Sequence, residues 1–431
     1  MQKKKRDSLI VGAALFSMFF GAGNLIFPPF LGFMSGDKWN WSMIGFFITG
    51  IGLPFLGIIA SAKAGGDVDK LGNRISPLFS KFLGITIVLA IGPLLAIPRT
   101  GATSFEMGVQ PIFPNANPIV FMIIYFGITL LLTIKPTNVI DKLGKVLTPV
   151  LLVILLLLIL RGIFFPMGDP IEENLAKPFS DGFTQGYQTM DALAAILFGG
   201  IISSSLVQQG YSSKEDQFSM TKRAGIIAIA GLAFVYGGLG YLGATGGQLF
   251  PKTITRTDLI MNIANNLLQA FGEIGLGLVV GLACLTTSVG LTATVGQYFS
   301  QISNGNLKYE VVVIVTSLFS AVMSINGVEY IIKLAEPILT FMYPIVIVLI
   351  LLTVFLGDFI KNNNIFRYSI YATFVISGLQ TLNMLGIHSF VIKILDLLPF
   401  SSSGFAWVLP AVLGAILGAF IKPKKYDEIA L

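Results

Sequence analysis

The chain has 431 residues, 54% of them hydrophobic and only 12% charged, with a mean hydropathy of +0.81. A soluble domain carries about 25% charged residues, so the composition excludes one and points to a polytopic membrane protein. One cysteine, Cys284, and one histidine, His388, exclude an intramolecular disulfide and argue against a metal site built from cysteine or histidine. The net charge of +6 follows the connecting loops and forms no nucleic-acid-binding face.

In chain order, Lys3-Lys4-Lys5-Arg6 resembles the start of a signal peptide, but the apolar run behind it is too long for one. It is read as a retained first span. Twelve apolar stretches follow, at about 8–33, 41–62, 82–105, 118–134, 143–165, 186–208, 224–246, 274–300, 311–325, 333–356, 368–385 and 405–421. The fold class is therefore an all-α membrane protein with about twelve spans. Residues 169–185 read as a polar loop. Residues 255–271 carry Leu259, Ile260, Ile263, Leu267 and Phe271 near helical spacing, as a surface helix or a lid would.

With the N-terminus inside, 20 of the 28 Lys and Arg residues fall on cytoplasmic segments, the positive-inside bias. An even span count also returns Lys422, Lys424 and Lys425 to the cytoplasm. The expected location is the plasma membrane, multi-pass, with both termini cytoplasmic.

Span 1 carries no charge from residue 8 to 36, yet its centre reads Phe19-Phe20-Gly21-Ala22-Gly23-Asn24-Leu25-Ile26-Phe27-Pro28-Pro29. Glycine and proline weaken or end helices. Broken backbone survives at membrane depth only where protein or ligand satisfies its polar groups. Two half-helices meeting there offer N–H groups to an anion and carbonyls to a cation. Span 6 shows a second candidate break at Leu197-Phe198-Gly199-Gly200, followed by Ser203-Ser204-Ser205. Interrupted spans at matching places in two halves mark the binding site of an inverted-repeat transporter. The competing reading is that these glycines only let helices pack closely.

Span 8 places Ala283, Thr286 and Thr287 at i, i+3 and i+4, so a carbonyl and two hydroxyls share one face. Such oxygens suit a hard cation, although Thr in a helix also bonds its own i−4 carbonyl. Arg99, Glu106, Asp191 and Glu336 are charges at membrane depth and default to functional. Arg99 can pair with Asp191 or Glu336 as a gate, or snorkel with Glu106 at the interface. Asp191, ahead of the expected break in span 6, is the best candidate proton acceptor if coupling is to protons. His388 is placed at the interface, and Cys284 packs as a small apolar group.

Gly21-Ala22-Gly23-Asn24 followed by Phe27-Pro28 resembles the first-helix motif of the amino acid–polyamine–cation superfamily. Its particular form is similar to the branched-chain amino acid:cation symporters, the BrnQ-type carriers. Gly92-Pro93 with Pro98-Arg99-Thr100, and Thr189-Met190-Asp191-Ala192-Leu193-Ala194-Ala195, resemble the same family. The resemblance covers essentially the whole chain. It implies a five-plus-five inverted repeat of the sodium:amino acid transporter type within one domain, 1–431. Repeat one is expected over 8–165, repeat two over 186–357, and two extra helices over 366–421.

The resemblance places a sodium ion between spans 1 and 8, on the carbonyls of Ser17, Phe20 and Ala283 and the hydroxyls of Thr286 and Thr287. It places the substrate carboxylate on the N–H groups of Ala22, Gly23 and Asn24. The amino group falls on carbonyls near Ala192, Leu193 and Ala195, with Phe198 in the apolar pocket. Neurotransmitter-type relatives carry an Arg before the Phe-Pro pair and an Asn on span 7. Both are missing here: the Arg belongs to their outer gate, and the Asn holds their second sodium, so one sodium is expected and not two. The expected function is sodium-coupled import of leucine, isoleucine and valine, with no organic cofactor and no nucleic-acid partner. A proton-coupled carrier using Asp191 or Glu106 is the alternative. A channel or membrane sensor is the competing class, and no nucleophile–base–orienter set suggests an enzyme. The oligomeric state is not legible.

Overall fold

The computed structural model describes residues 2–422 except 67, 135–137, 174, 212, 358, 360–361 and 388–390. His388, Lys424 and Lys425 lie outside the described residues. A helix or a broken pair of helices covers each of the twelve apolar stretches. Among the described residues six helices are long and apolar enough to cross a membrane, kinked ones included, and four shorter apolar helices accompany them.

Span 1 is two helices, α1 (Gln2–Phe19) and α2 (Ala22–Ser35). The chain between them is extended at Gly21, with φ −106° and ψ −175°. Pro28 and Pro29 do not end α2; they sit inside it. Span 2 is α3 (Trp39–Phe47) and α4 (Leu53–Lys63), joined by a wider π turn over Ile48–Gly52. A short α5 (Val68–Gly72) leads to span 3, made of α6 (Pro77–Leu89) and α7 (Ala96–Gly108). A second π turn with a non-helical Gly92 kinks span 3 between them, as Gly-Pro at residues 92–93 demands. Spans 4 and 5 are α8 (Pro118–Ile134) and α9 (Asn138–Phe164).

Span 6 is the main departure from the sequence reading. It begins inside the expected polar loop with α10 (Pro178–Gln185), tightens into a 3₁₀ turn over Gly186–Thr189, and breaks at Met190, whose φ is +61°. Then α11 (Asp191–Gln208) runs unbroken through Leu197–Gly200. The paired glycines there serve packing. A Cβ on Gly199 would lie 2.4 Å from the Ser61 side chain, and one on Gly200 2.3 Å from the Gly66 carbonyl.

Span 7 is α12 (Lys214–Thr245). The long α13 (Arg256–Ile302) contains both the short surface helix and span 8, separated at Gln269, where φ is +57°. Thr255 caps its start by accepting from the Asp258 N–H at 3.1 Å. Leu259, Ile260, Ile263 and Leu267 are buried in the core, whereas Phe271 lies past the kink and is exposed. At roughly 1.5–3 kcal/mol per buried aliphatic side chain, this segment is held firmly, and the face it covers is called here the lid face. The remaining helices are α14 (Tyr309–Ser324), α15 (Val328–Leu351), α16 (Asn363–Met384), α17 (Val391–Asp396) and α18 (Val408–Phe420).

Two large apolar cores divide the molecule. One holds Phe19, Phe20 and Leu25 with α9, α12 and the lid. The other holds Met190, Leu193 and Ile196 with α4, α6 and α15. The two breaks meet on the seam between them.

Candidate functional site

The break in span 1 leaves the first N–H groups of α2 without helical partners. One of the three expected to receive a carboxylate is already used: the Asn24 N–H donates to the Gly21 carbonyl at 3.1 Å. The Ala22 and Gly23 N–H groups, at the first positions of α2, lie ahead of the helical ladder. The Asn24 side chain turns inward and donates from Nδ2 to Asp191 Oδ2 and to the Tyr236 hydroxyl, each at 2.5 Å. One amide therefore ties α2 to the start of α11 and to the middle of α12.

Close backbone approach makes this registry possible. A Cβ on Gly32 would lie 1.8 Å from the Gly240 carbonyl, and one on Gly243 1.8 Å from the Pro29 carbonyl. The two helices touch main chain to main chain, as small residues allow in membranes.

The kink in span 3 directs α7 so that Arg99 enters the seam. Arg99 is 5% exposed. It does not reach the carboxylate partners expected of it: Nη1 donates to the Gln188 carbonyl at 2.6 Å, and the guanidinium lies 5.4 Å from the centre of the Phe27 ring. Among the described residues no ion pair joins it to Asp191, and Glu336 is exposed on α15. Gly23 makes room for it, since a Cβ there would stand 2.6 Å from Nη2.

Asp191, Gly21, Gly23, Asn24 and Arg99 line one cavity of about 90 Å³ with Ser17, Phe20, Met190, Phe198 and Thr287. Ala192, Leu193 and Ala195 lie in the first turns of α11, fully buried and off the cavity wall. With the break at Met190, their carbonyls belong to the helical ladder and not to a loose end. The Gln188 carbonyl, in the 3₁₀ turn before the break, lies outside that ladder and is taken by Arg99. On α13 the Thr286 and Thr287 hydroxyls both donate to the Ala283 carbonyl, at 2.8 and 3.0 Å. Three oxygens are thus gathered on one face, and of the two threonines Thr287 lines the cavity.

Over the lid face, Glu106 accepts from the Thr257 hydroxyl at 2.7 Å and from the Val328 N–H at 2.8 Å. It ties α7 to the lid and to α15 and does not enter the cavity. Beside it, Arg256 donates to Glu329 from Nη1 and, at 3.1 Å, from its backbone N–H. Its guanidinium covers Phe30 at 4.1 Å. The opposite end is fastened too: the Tyr211 hydroxyl donates to Asp7 at 2.9 Å, and Lys4 pairs with Asp216 at 3.0 Å.

Sequence reasoning missed Tyr236, Gln188 and the Arg256–Glu329 pair. Tyr236 gives no signal in an apolar span. The charge pair was visible only as opposite charges opening two neighbouring segments.

A family model described as branched-chain amino acid transport protein matches residues 4–425. The chain belongs to that family. Two curated relatives from Bacillus subtilis (strain 168) are named branched-chain amino acid permease BraB and branched-chain amino acid permease BrnQ. The first is 38% identical, covering 99% of this chain and 98% of the relative; the second is 37% identical, covering 97% and 98%. Among solved structures, the inward-facing conformation of Mhp1 aligns over 98% of this chain and 94% of its own, with a TM-score of 0.62 at 14% identity. MhsT in complex with L-phenylalanine aligns over 94% and 98%, with a TM-score of 0.59 at 15% identity. At such identities the likeness establishes a shared transporter fold. This member of the family is a multi-pass membrane transporter and not an enzyme.

Proposed function

We propose that the carrier imports leucine, isoleucine and valine by symport with sodium, alternating access around the cavity between the two breaks. The observation that carries this reading is the cavity itself, which is lined by both breaks and also by Ser17, Phe20 and Thr287. Sodium, a co-substrate here, takes the Ser17, Phe20 and Ala283 carbonyls and the two threonine hydroxyls once these turn from Ala283. The amino acid then lies along the breaks with its aliphatic side chain against Phe198 and Met190. Joint occupancy favours opening to the other side through differential affinity for the two states. A membrane potential contributes about 2.3 kcal/mol per charge per 100 mV. The three substrates should compete closely, because one methylene is worth only ~1–3 kcal/mol.

The two halves of the fold are read as repeats, with span 6 moving the start of the second to Pro178. Both termini are placed in the cytoplasm by the positive-inside bias. The test is labelled-leucine uptake into proteoliposomes at fixed pH, with and without an imposed sodium gradient. Uptake that ignores sodium refutes the coupling. So does a Thr286→Ala/Thr287→Ala double variant with an unchanged sodium requirement. Buried Asp191, at the break, favours one second reading, coupling to protons. It predicts leucine accumulation driven by a pH gradient in sodium-free buffer.

A further inference from the structure

Two opposite charges share the cavity without meeting. Arg99 and Asp191 are 5% and 6% exposed, both line it, and no ion pair joins them among the described residues. Each instead makes a neutral contact: Arg99 Nη1 with the Gln188 carbonyl, and Asp191 Oδ2 with the Asn24 amide. Buried opposite charges that feel each other but make no direct ion pair remain costly. A molecule carrying both signs at a short, fixed separation relieves both at once, and an α-amino acid is such a molecule. Arg99 Nη2 lies over Gly23, next to the N–H groups that open α2, so cation and helix N-terminus converge on one spot.

The geometry points to Arg99 and Asp191 as the two poles of a clamp for the substrate's zwitterionic end. The carboxylate is held by Arg99 Nη2 with the Ala22 and Gly23 N–H groups, and the ammonium by Asp191. This rests on the reading that the amino acid binds in this cavity, and it replaces the carbonyls near Ala192, Leu193 and Ala195 as acceptor of the ammonium. The aliphatic part of the pocket then selects among amino acids, while the clamp selects amino acids from other molecules of the same shape.

The test is competition for labelled-leucine binding by two leucine-shaped analogues, 4-methylpentanoate, which lacks the ammonium, and isoamylamine, which lacks the carboxylate. Hydrogen bonds to charged groups predict that the purified carrier prefers leucine to each by roughly 10- to 100-fold. Asp191→Asn should collapse the preference over 4-methylpentanoate and leave that over isoamylamine. Arg99→Gln should do the reverse. Parallel losses for leucine and both analogues in each variant would make the two residues scaffolding and overturn the clamp. So would a wild-type carrier that binds either analogue within about threefold of leucine, a result that needs no variant to fold. Sodium-indifferent uptake of leucine would refute the symport reading alone and leave these ratios decisive.

Discussion

Gly32→Ala tests the helix contact on which the site's registry depends. The added Cβ falls 1.8 Å from the Gly240 carbonyl oxygen and 2.7 Å from its carbon, and ordinary contact begins at 3.4 Å. The obstacle is backbone, which has no rotamer to yield, so α2 and α12 must part by about 1.6 Å. Overpacking of this kind costs ~1–3 kcal/mol. The same displacement pulls Asn24 from Tyr236, and a net hydrogen bond is worth ~0.5–1.5 kcal/mol. A total of roughly 1.5–4.5 kcal/mol corresponds to a loss of at least about 10-fold and at most about 2,000-fold. The assay is leucine uptake at matched protein density, with the surviving monodisperse fraction after heating in detergent as the stability readout. Gly290→Ala is the control, because a Cβ there meets nothing within 4 Å. The control should match wild type or gain slightly from helix propensity. Wild-type uptake and heat resistance in Gly32→Ala would refute the backbone contact and the dependence of the site upon it.

Tyr236→Phe removes one acceptor of the Asn24 amide while keeping the edge contact with Phe46 at 5.6 Å. Leucine affinity should fall by about 2- to 12-fold, and a larger loss in equilibrium binding would mean that the hydroxyl touches substrate directly. A double-mutant cycle on Arg256→Met and Glu329→Gln should give a coupling of about 1 kcal/mol in thermal stability, reduced by salt, because Glu329 is 34% exposed on its side chain. Glu106→Gln should loosen the lid, read as faster hydrogen exchange over residues 256–268, and leave the coupling ion unchanged. A permeant maleimide should modify Cys284 slowly, since it is 1% exposed, and sodium with leucine should slow it further.

The break in span 1 was legible because glycine, asparagine and proline interrupt an otherwise uncharged run, and no packing argument alone explains Asn24 there. The kink that delivers Arg99 was legible in the same way, from Gly92-Pro93. Span 6 was misjudged for a physical reason. Its first half, Pro178–Gln185, is too polar to register as membrane helix, yet it packs closely on α3, its Ser180 and Thr184 hydroxyls bond local carbonyls, and the turn after α3 bonds it. A Cβ on Gly182 would lie 1.8 Å from the Ser42 carbonyl, and the Thr49 hydroxyl donates to the Phe183 carbonyl at 2.7 Å. Hydropathy counts side chains and is blind to such partners. Gly199-Gly200 therefore looked like the break, when the break lies where Met190 adopts a left-handed conformation that no residue type announces. Tertiary partners such as Asn24 with Tyr236 are separated by 212 positions and leave no local trace.

Pro28 and Pro29 stand inside α2 rather than at its end. Neither has a proton to give, so the carbonyls one turn earlier, on Asn24 and Leu25, have no rung above them. α2 as folded therefore lacks two of the bonds that would resist its bending. Bending at this level would cost no helical rung, because folding leaves those two unmade with or without a ligand.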